Sequence, residues 1–128
     1  MGRCIRKFTE LDWITDEGHT AQTTDIKRVT GNLRKIEVKV SSVTDNPTVD
    51  VTLSDISDTD FVTELIALST LADGTLHVFN SRSKEFDADA DIDEMFFNLN
   101  DLRISVDPSA DPGGSGQTLT VNVKLYLD

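Results

Sequence analysis

The chain has 128 residues, of which 38% are hydrophobic and 27% are charged, a composition that fits one folded domain rather than a disordered segment. Its formal net charge of −11 argues against nucleic acid as a partner, because an acidic surface repels phosphate groups. One cysteine excludes an internal disulfide, and no apolar run approaches the roughly 20 residues that span a bilayer, so no membrane partner is expected.

The N-terminal segment is basic and contains short apolar pieces. No apolar stretch follows the basic residues of 1–7, so the sequence predicts no secretory signal and predicts folding in a cytoplasm. Apolar residues at 5–8 and 13–14 indicate pieces of strand. We therefore predict that residues 1–14 form an N-terminal arm or first strand, and that residues 15–128 form a β-sandwich domain.

Apolar and polar residues alternate in the segments that follow. The alternation predicts strands at 36–40 and 49–53, because a half-buried strand buries every second side chain. Gly31 and Asn32 indicate a turn before the first strand, and the Asp-Asn-Pro sequence at 45–47 interrupts the chain between the two. These two strands are predicted to form a hairpin.

The central segment fits more than one structure. The apolar residues of 61–71 match the i, i+3, i+4 spacing of a helix, although a strand over 64–69 is nearly as well supported. Residues 76–79 indicate a further strand, and residues 92–99 fit either a short helical turn or a strand.

The C-terminal segments give the clearest strand signal. Residues 118–127 alternate throughout, and residues 102–106 alternate in the same way. The segment 107–116 between them is rich in Asp, Pro, Gly and Ser, which predicts a hairpin with a long mobile tip. With about eight strands and no alternation of strands and helices, the chain is predicted to be all-β: an antiparallel β-sandwich with at most one short helix.

A run of alternating acidic residues is the candidate metal site. Asp87, Asp89, Asp91 and Asp93 could offer several carboxylate oxygens to a hard cation such as Ca²⁺. The EF-hand pattern does not fit, because the twelfth position counted from Asp87 is Asn98 rather than Glu. The alternatives are a solvated acidic loop and an edge strand kept soluble by its charge.

The histidines and the cysteine, which are residue types that often carry catalysis, have no motif around them that would complete a catalytic site. His19 and His77 are interpreted as surface histidines, because no motif places a nucleophile or second ligand beside either. Cys4 is interpreted as an ordinary strand residue, and the glycines of 113–116 precede a strand rather than the helix that a phosphate-binding loop requires. The sequence therefore predicts no enzyme and no cofactor apart from the candidate Ca²⁺.

The distribution of charge indicates contacts with other proteins. The first 44 residues carry eight basic and six acidic residues, whereas the remaining 84 carry four and seventeen. A basic arm can pair with an acidic neighbouring chain, so Arg3, Arg6, Lys7 and Phe8 are predicted interface residues, unless the cations pair within their own domain. Trp13 is a candidate interface anchor, although a core position is the commoner role for a tryptophan.

Five segments together carry a family resemblance. They are TDEGHT at 15–20, GNLRKIEV at 31–38, VDVTL at 49–53, DLRISV at 101–106 and LTVNVKLYL at 119–127. In their order and spacing they resemble the small β-sandwich virion proteins of tailed bacteriophages and related archaeal viruses. The stretch 61–93 departs from that family, which often has an aromatic-Pro-Arg segment where this chain has VFNSR at 78–82.

The resemblance implies a non-enzymatic structural role in a virion that is assembled in the host cytoplasm. Decoration, or cement, proteins of this kind bridge neighbouring capsid subunits and are frequently trimeric, and the resemblance implies that the β-sandwich is jelly-roll-like. The implied partners are therefore the major capsid protein or other virion proteins, together with further copies of this chain, a trimer being favoured. A tail or head–tail connector component is the alternative within the same particle. A carbohydrate- or receptor-binding β-sandwich is the alternative from another class, although one Trp and one Tyr provide little for an aromatic platform.

Overall fold

Strands account for all the regular secondary structure in the part of the chain that the computed structural model describes, residues 5–80 and 95–128. All the strand pairs are antiparallel. The strands are β1 (Ile5–Ile14), β2 (Gln22–Val40), β3 (Val49–Asp55), β4 (Thr63–Leu71), β5 (Thr75–Asn80), β6 (Met95–Pro108) and β7 (Thr118–Leu127). The all-β prediction is confirmed, and residues 5–14 form the first strand.

The seven strands of the described residues are joined by hydrogen bonds into one continuous sheet, because the long strand β2 contributes to both layers of the sandwich. Its first part, 22–33, pairs with β6, which pairs in turn with β3 and, through it, with β4. Its second part, 33–40, lies between β7 and β5, and β1 pairs with the far side of β7. We call β1–β7–β2–β5 the first sheet and β2–β6–β3–β4 the second sheet. β2 is a member of both sheets, so the seven strands of the described residues occupy eight strand positions.

A bend within β2 carries the chain from the second sheet to the first. The register against β6 shifts between Ile26 and Val29 and again between Val29 and Gly31, as expected for β-bulges. Gly31 has a φ of +129°, and a Cβ at this position would lie 3.2 Å from the carbonyl oxygen of Asp128, so glycine suits both the angle and the space. The predicted turn at Gly31 and Asn32 is therefore wrong, because both residues lie inside the paired strand β2, at the place where its register shifts.

The two sheets bury one face each against a shared core. Leu119, Val121 and Leu125 in β7 and Leu102 and Ile104 in β6 are almost fully buried, and the residues between them face outward. The buried side chains of both sheets form one hydrophobic cluster, which is the arrangement of a β-sandwich. Burial of each such side chain contributes about 1.5–3 kcal/mol, so this core is the main source of stability.

Both predicted hairpins are wrong, although their strands exist. Residues 102–106 pair with β2 and β3, whereas residues 118–127 pair with β1 and with the other part of β2. Residues 36–40 pair with β5 and β7 rather than with β3. Alternation indicates which face of a strand is buried, but it does not indicate the neighbouring strand. The connecting segments 41–48 and 109–117 lead to other partners.

The segment 61–71 contains a strand rather than a helix. β4 has an extra residue opposite β3 at two places, so its buried residues Ile66, Leu68 and Leu71 are spaced by two and three positions. This irregular spacing resembles that of a helix, which explains why the pattern was ambiguous. Residues 95–99 belong to β6, while residues 92–94 lie outside the described part of the chain.

The loops at one end of the sandwich are hydrogen-bonded to one another. We call this the loop end, and it comprises residues 15–21, 41–48, 72–74 and 109–117. Thr15 donates its backbone N–H to the carbonyl oxygen of Gln117 at 3.0 Å and its hydroxyl to that of Gly113 at 2.8 Å. Asp45 donates its N–H to the carbonyl oxygen of Pro112 at 3.0 Å. The segment predicted to be a mobile tip is therefore fastened to two other loops.

The opposite end, which we call the bend end, has a different surface. It contains the bend of β2 at 29–33, the start of β1, the loop 56–62 and the start of β6. Large apolar side chains are exposed here, and they are Ile5, Phe61, Val62, Phe96 and Leu99. The two ends thus differ in exposed apolar area rather than in hydrogen bonding, since Asn32 and Asp128 exchange two backbone hydrogen bonds of 2.9 Å at the bend end.

Candidate interaction surface

The predicted interface residues fall on different sides of β1. Arg6 and Phe8 point away from the core, because the residues that they face in β7, Tyr126 and Lys124, lie on its outward side. Lys7 alternates with them and is half-buried on the inner side of the strand. Arg3 lies outside the described residues. The strand therefore brings two of the predicted residues, Arg6 and Phe8, together on the outer face of the first sheet.

Trp13 is part of the core. Its side chain is 4% exposed, and its indole N–H donates a hydrogen bond of 2.8 Å to the carbonyl oxygen of Thr20. Its ring and its one donor are both used within the chain, which agrees with the alternative of a core position rather than with an interface anchor. Trp13 therefore has a structural role within the chain.

A shallow groove crosses the outer face of the first sheet. Phe8 at one side is 56% exposed and Leu76 at the other is 53% exposed, which leaves two large apolar groups open to solvent. The groove has a volume of about 380 Å³ and is lined by Phe8, Glu10, Glu37, Lys39, Leu76, Asn122 and Lys124. Four strands contribute to it, since adjacent residues of β1, β7, β2 and β5 share this face.

Two lysines on this face stack on aromatic rings. The Lys124 ammonium lies 5.8 Å from the centre of the Phe8 ring, and that of Lys35 lies 4.4 Å from the centre of the Tyr126 ring. Both distances fall within the roughly 6 Å range of a cation–π interaction. Stacking restrains the long lysine side chains before a partner binds, so binding would cost these side chains less conformational entropy.

A carboxylate beside the groove is held in its ionised form. The Tyr126 hydroxyl donates a hydrogen bond of 2.6 Å to Glu37, and the Lys35 ammonium lies 3.5 Å from the other carboxylate oxygen. The hydrogen bond from Tyr126 is the main cause that lowers the pKa of Glu37, and the charges of Lys35 and Lys124 add to it. Glu37 therefore stays charged near neutral pH and fixes the positions of two side chains on this face.

The outer face of the second sheet is more polar. Arg103 on β6 donates two hydrogen bonds, of 2.8 and 3.2 Å, to the carboxylate of Asp25 on β2. This bidentate pairing lowers the pKa of Asp25, chiefly through the hydrogen bonds from Arg103. Such an exposed pair contributes only about 0–1 kcal/mol to stability. Among the described residues, β3 and positions 100–108 of β6 have no exposed large apolar side chain, whereas Phe96 and Leu99 are exposed near the start of β6 at the bend end.

The described histidines interact with backbone carbonyl groups. His19 is exposed, and its Nδ1 lies 3.1 Å from the carbonyl oxygen of Pro108. His77 was interpreted as a surface residue, but it is 8% exposed, and its Nε2 lies 2.9 Å from the carbonyl oxygen of Ala72. β5 turns His77 to the core, so its neighbour Leu76 faces the solvent. The sequence Leu-His-Val-Phe is consistent with either orientation, which is why Leu76 was missed as a surface residue.

The metal prediction lies outside the described residues. Asp87, Asp89, Asp91 and Asp93 fall within 81–94, so their arrangement as a Ca²⁺ site stays a prediction. Across residues 5–80 and 95–128, no group of three or more His, Cys, Asp or Glu side chains is arranged to hold a metal ion. In the same two ranges no helix has the length and apolar character to cross a membrane.

Comparisons with known proteins give distant structural likenesses only. No family model matches the chain, and no curated protein sequence matches it. Solved structures that share part of its shape come from infectious bursal disease virus. A protein of the Gx strain is 10% identical with a TM-score of 0.48, and one of the Gt strain is 12% identical with a TM-score of 0.43. A VP2 subviral particle gives 10% identity and a TM-score of 0.48.

These alignments cover 98% of this chain but only 32–33% of the viral proteins. The chain therefore corresponds to about one third of their length. Likeness at this level carries no argument about function, so a functional proposal has to rest on the surfaces of the chain itself.

Proposed function

We propose that this chain is a non-enzymatic structural subunit of a virus particle, and that it binds a neighbouring protein through the outer face of its first sheet. The observation that carries the proposal is the groove between Phe8 and Leu76, where exposed apolar side chains lie beside lysines on a chain of net charge −11. The finer role that we propose is capsid decoration, or cement, on a tailed virus.

The chemistry of the groove favours a protein partner. Aromatic side chains are enriched in the centres of protein interfaces, where a few residues carry most of the binding energy. Phe8 and Leu76 would fill apolar depressions of the partner, while Lys39 and Lys124 at the rim would meet carboxylates. Burial of a half-exposed Phe contributes about 1 kcal/mol or more, so Phe8 would act as one anchor within a larger interface.

The proposed partner is the major capsid protein or another virion protein, and further copies of the chain are expected in the particle. This part of the proposal depends on the resemblance of five segments to small virion proteins of tailed viruses, which also favours a trimer. A decoration subunit stabilises a shell because it shares buried area with two shell proteins at once. The alternative as a carbohydrate-binding module gains no support from Trp13, which is buried.

The proposal is tested with two substitutions on the groove. Phe8→Ser removes the exposed ring, and Lys124→Glu reverses the charge that stacks on it. Each is expected to lower the affinity for particles assembled without this chain by about tenfold or more, since loss of an interface anchor costs about 1.4 kcal/mol or more. Affinity is measured by co-sedimentation of the purified chain with those particles.

The matched control is Phe96→Ser, because Phe96 is 65% exposed but lies at the bend end rather than on the groove. It is expected to leave particle binding unchanged. Equal losses from Phe8→Ser and Phe96→Ser would contradict a contact through the first sheet. Truncation is a poorer test, because residues 5–9 pair with β7 and their removal would uncover its edge.

Microscopy of the intact particle separates the finer alternatives. Density for the sandwich on the capsid surface would support a decoration role, and density in the tail or at the head–tail junction would overturn it in favour of a connector. Absence of the chain from purified particles would overturn the proposal as a whole.

A further inference from the structure

A turn at the bend end presents an aromatic side chain to solvent. We call residues 57–62, which connect β3 to β4, the acidic turn. Phe61 is 76% exposed, the largest value among the exposed large apolar side chains of the described residues, and its neighbour Val62 is 55% exposed. Asp58 and Asp60 are exposed beside them. The acidic turn therefore combines two carboxylates with apolar area that its own chain leaves open.

Hydrogen bonds stabilise the shape of the acidic turn. The Phe61 N–H donates to the carbonyl oxygen of Asp58 at 3.0 Å, and the Asp60 N–H donates to the carboxylate of Asp58 at 2.9 Å. The Ser57 hydroxyl accepts a hydrogen bond of 2.9 Å from the N–H of Asp101, which ties the turn to β6. A partner that binds Phe61 would therefore pay little conformational entropy to order this backbone.

The groove on the first sheet offers apolar area of the kind that could cover Phe61. Phe8 and Leu76 are each about half exposed at its two sides. The volume of about 380 Å³ between them is larger than one aromatic side chain. Aromatic rings pack favourably in offset or edge-to-face arrangements, so the Phe8 ring is a suitable neighbour for a second phenylalanine.

The charges of the groove favour an acidic occupant. Neither Lys39 nor Lys124 forms an ion pair with a carboxylate of residues 5–80 and 95–128. Glu37 is already engaged by a hydrogen bond and an ion pair on the same face, so two lysines remain against one other carboxylate of the lining, that of Glu10. A segment that carries carboxylates beside an aromatic ring matches this groove in both charge and polarity.

We propose that the acidic turn of one copy of this chain docks into the groove of the next copy. Phe61 would lie between Phe8 and Leu76 of the neighbour, and the two aspartates of the turn would meet Lys39 and Lys124. This inference rests on the proposed function, because it names a second copy as the neighbouring protein that the groove receives.

The positions of the two surfaces make the contact intermolecular. The acidic turn joins two strands of the second sheet at the bend end, whereas the groove lies on the outer face of the first sheet, so the core separates them. The turn therefore cannot fill the groove of its own chain. Because two different patches meet, the contact is head-to-tail, and it closes into a ring or continues as an open chain. A ring of three would agree with the trimer that the resemblance implies.

The net charge of the chain opposes this contact only at long range. Two copies that each carry −11 repel each other, but at physiological ionic strength such repulsion is screened beyond about 8 Å. Burial of the Phe61 ring and the contacts between lysines and aspartates act at shorter distances. The other possible occupant is a shell protein with a similar acidic and aromatic segment, and the experiments below separate the two.

Two complementary variants test the contact. Phe8→Ser damages the groove and leaves the turn intact, whereas Phe61→Ser damages the turn and leaves the groove intact. Both side chains are exposed, so both variants should keep the circular dichroism of the unsubstituted chain. Each alone is expected to raise the dissociation constant between copies about tenfold or more. An equimolar mixture should give a dimer and nothing larger, because one intact turn can meet one intact groove. Sedimentation equilibrium measures these masses.

The matched control is Phe96→Ser, which removes another exposed aromatic side chain of the bend end from outside the acidic turn. It should associate as the unsubstituted chain does. An equal loss from Phe96→Ser and Phe61→Ser would overturn the assignment to the turn. An unsubstituted chain that is monomeric at every concentration examined, or a mixture no larger than its components, would overturn the contact itself.

Charge reversal tests the pairing of lysines with aspartates. One variant carries Lys39→Glu with Lys124→Glu, and the other carries Asp58→Lys with Asp60→Lys. Each alone should lose association, because like charges then meet in every contact. Their mixture should regain it, since the reversed turn matches the reversed groove. Loss without recovery in the mixture would overturn the assigned charge contacts.

Particle binding separates this inference from the function on which it rests. Weaker binding of both Phe8→Ser and Phe61→Ser to particles assembled without this chain would support a contact between copies on the shell. Weaker binding of Phe8→Ser alone, with a monomeric unsubstituted chain, would overturn the inference and keep the proposed function with a shell protein in the groove. Unchanged particle binding of Phe8→Ser, with association in solution that depends on Phe8 and Phe61, would support the inference and overturn the proposed function.

Discussion

The loop end and the bend end of the sandwich differ in how they use their residues. At the loop end, three segments far apart in sequence are joined by hydrogen bonds of Thr15 and Asp45, and Gly113 is buried between them. At the bend end, large apolar side chains such as Phe61 and Phe96 remain exposed. The bend end is also hydrogen-bonded, for example between Ile56 and Asp101, so the difference lies in the apolar area that it leaves for a neighbour.

The largest expected effect is a loss of stability when a buried leucine of the loop end is shortened, compared with an exposed leucine of the bend end. Leu119, which lies opposite Trp13 in the strand pairing, is fully buried, so Leu119→Ala is expected to lower the free energy of unfolding by about 3 kcal/mol. Leu99 is 55% exposed, and Leu99→Ala should change the free energy of unfolding by less than about 0.5 kcal/mol. Urea denaturation measures both, and similar losses at the two ends would remove the contrast.

A pair of glycines sharpens the same contrast within one loop. Gly113 has a φ of +73°, and a Cβ there would collide with the Asp45 carboxylate, so Gly113→Ala should cost about 2 kcal/mol. Gly116 has a φ of +65° with open space around it, and Gly116→Ala should cost only the backbone strain of about 1 kcal/mol. Thermal denaturation compares the two. An equal loss of stability from the two substitutions would show that the close contact between Gly113 and Asp45 contributes nothing.

The hydroxyl of Thr15 provides a smaller test of the loop end. It donates to the carbonyl oxygen of Gly113, and Thr15→Val keeps the shape of the side chain but removes the donor. We expect a loss of about 1 kcal/mol in the free energy of unfolding, because a nearly buried carbonyl group loses its partner. Thr118→Val, at an exposed position of the neighbouring strand, is the control and should be nearly neutral. No difference between them would mean that this bond is dispensable.

The smallest expected effect lies between the ends, at Glu37. The hydrogen bond from Tyr126 lowers the pKa of Glu37 in the folded chain, so its contribution to stability is present above the ordinary pKa of about 4.3 and is lost as the pH falls through the lowered value. Glu37→Gln should therefore destabilise the chain slightly at pH 7 and have less effect at pH 3. Denaturation at both values checks this, with Glu10→Gln on the same face as control. A larger effect at pH 3 would contradict the assigned sign.

The sequence was sufficient to predict several of the strands but not their partners. Period-two alternation identified β7, β3 and the second part of β2, because each buries one face against the core. It could not reveal that β2 also occupies the second sheet, since the bulges near Gly31 interrupt the pattern at the bend. Pairing depends on contacts between distant residues, and the lengths of connecting segments do not specify those contacts.

The residues of the groove were predicted only in part. Arg6 and Phe8 were predicted as interface residues from the basic stretch at the N-terminus; both lie on the outer face of the first sheet, and their contact with a partner stays a prediction. Leu76 and Lys124 were missed because they come from two other strands and meet Phe8 only when the sheet has formed. Leu76 reaches this face because β5 turns His77 to the core, and an alternating pattern that contains a histidine does not determine which side of the strand is buried.

The passage of β2 through both sheets has a mechanical consequence. Each sheet is anchored to the same covalent segment, so tension that separates the two layers must first break the pairing of that segment with β6 or with β7. The layers should therefore resist pulling as one cooperative unit and yield in a single step rather than peel apart in sequence. A subunit that yields in this way would hold its shape under load until it fails completely.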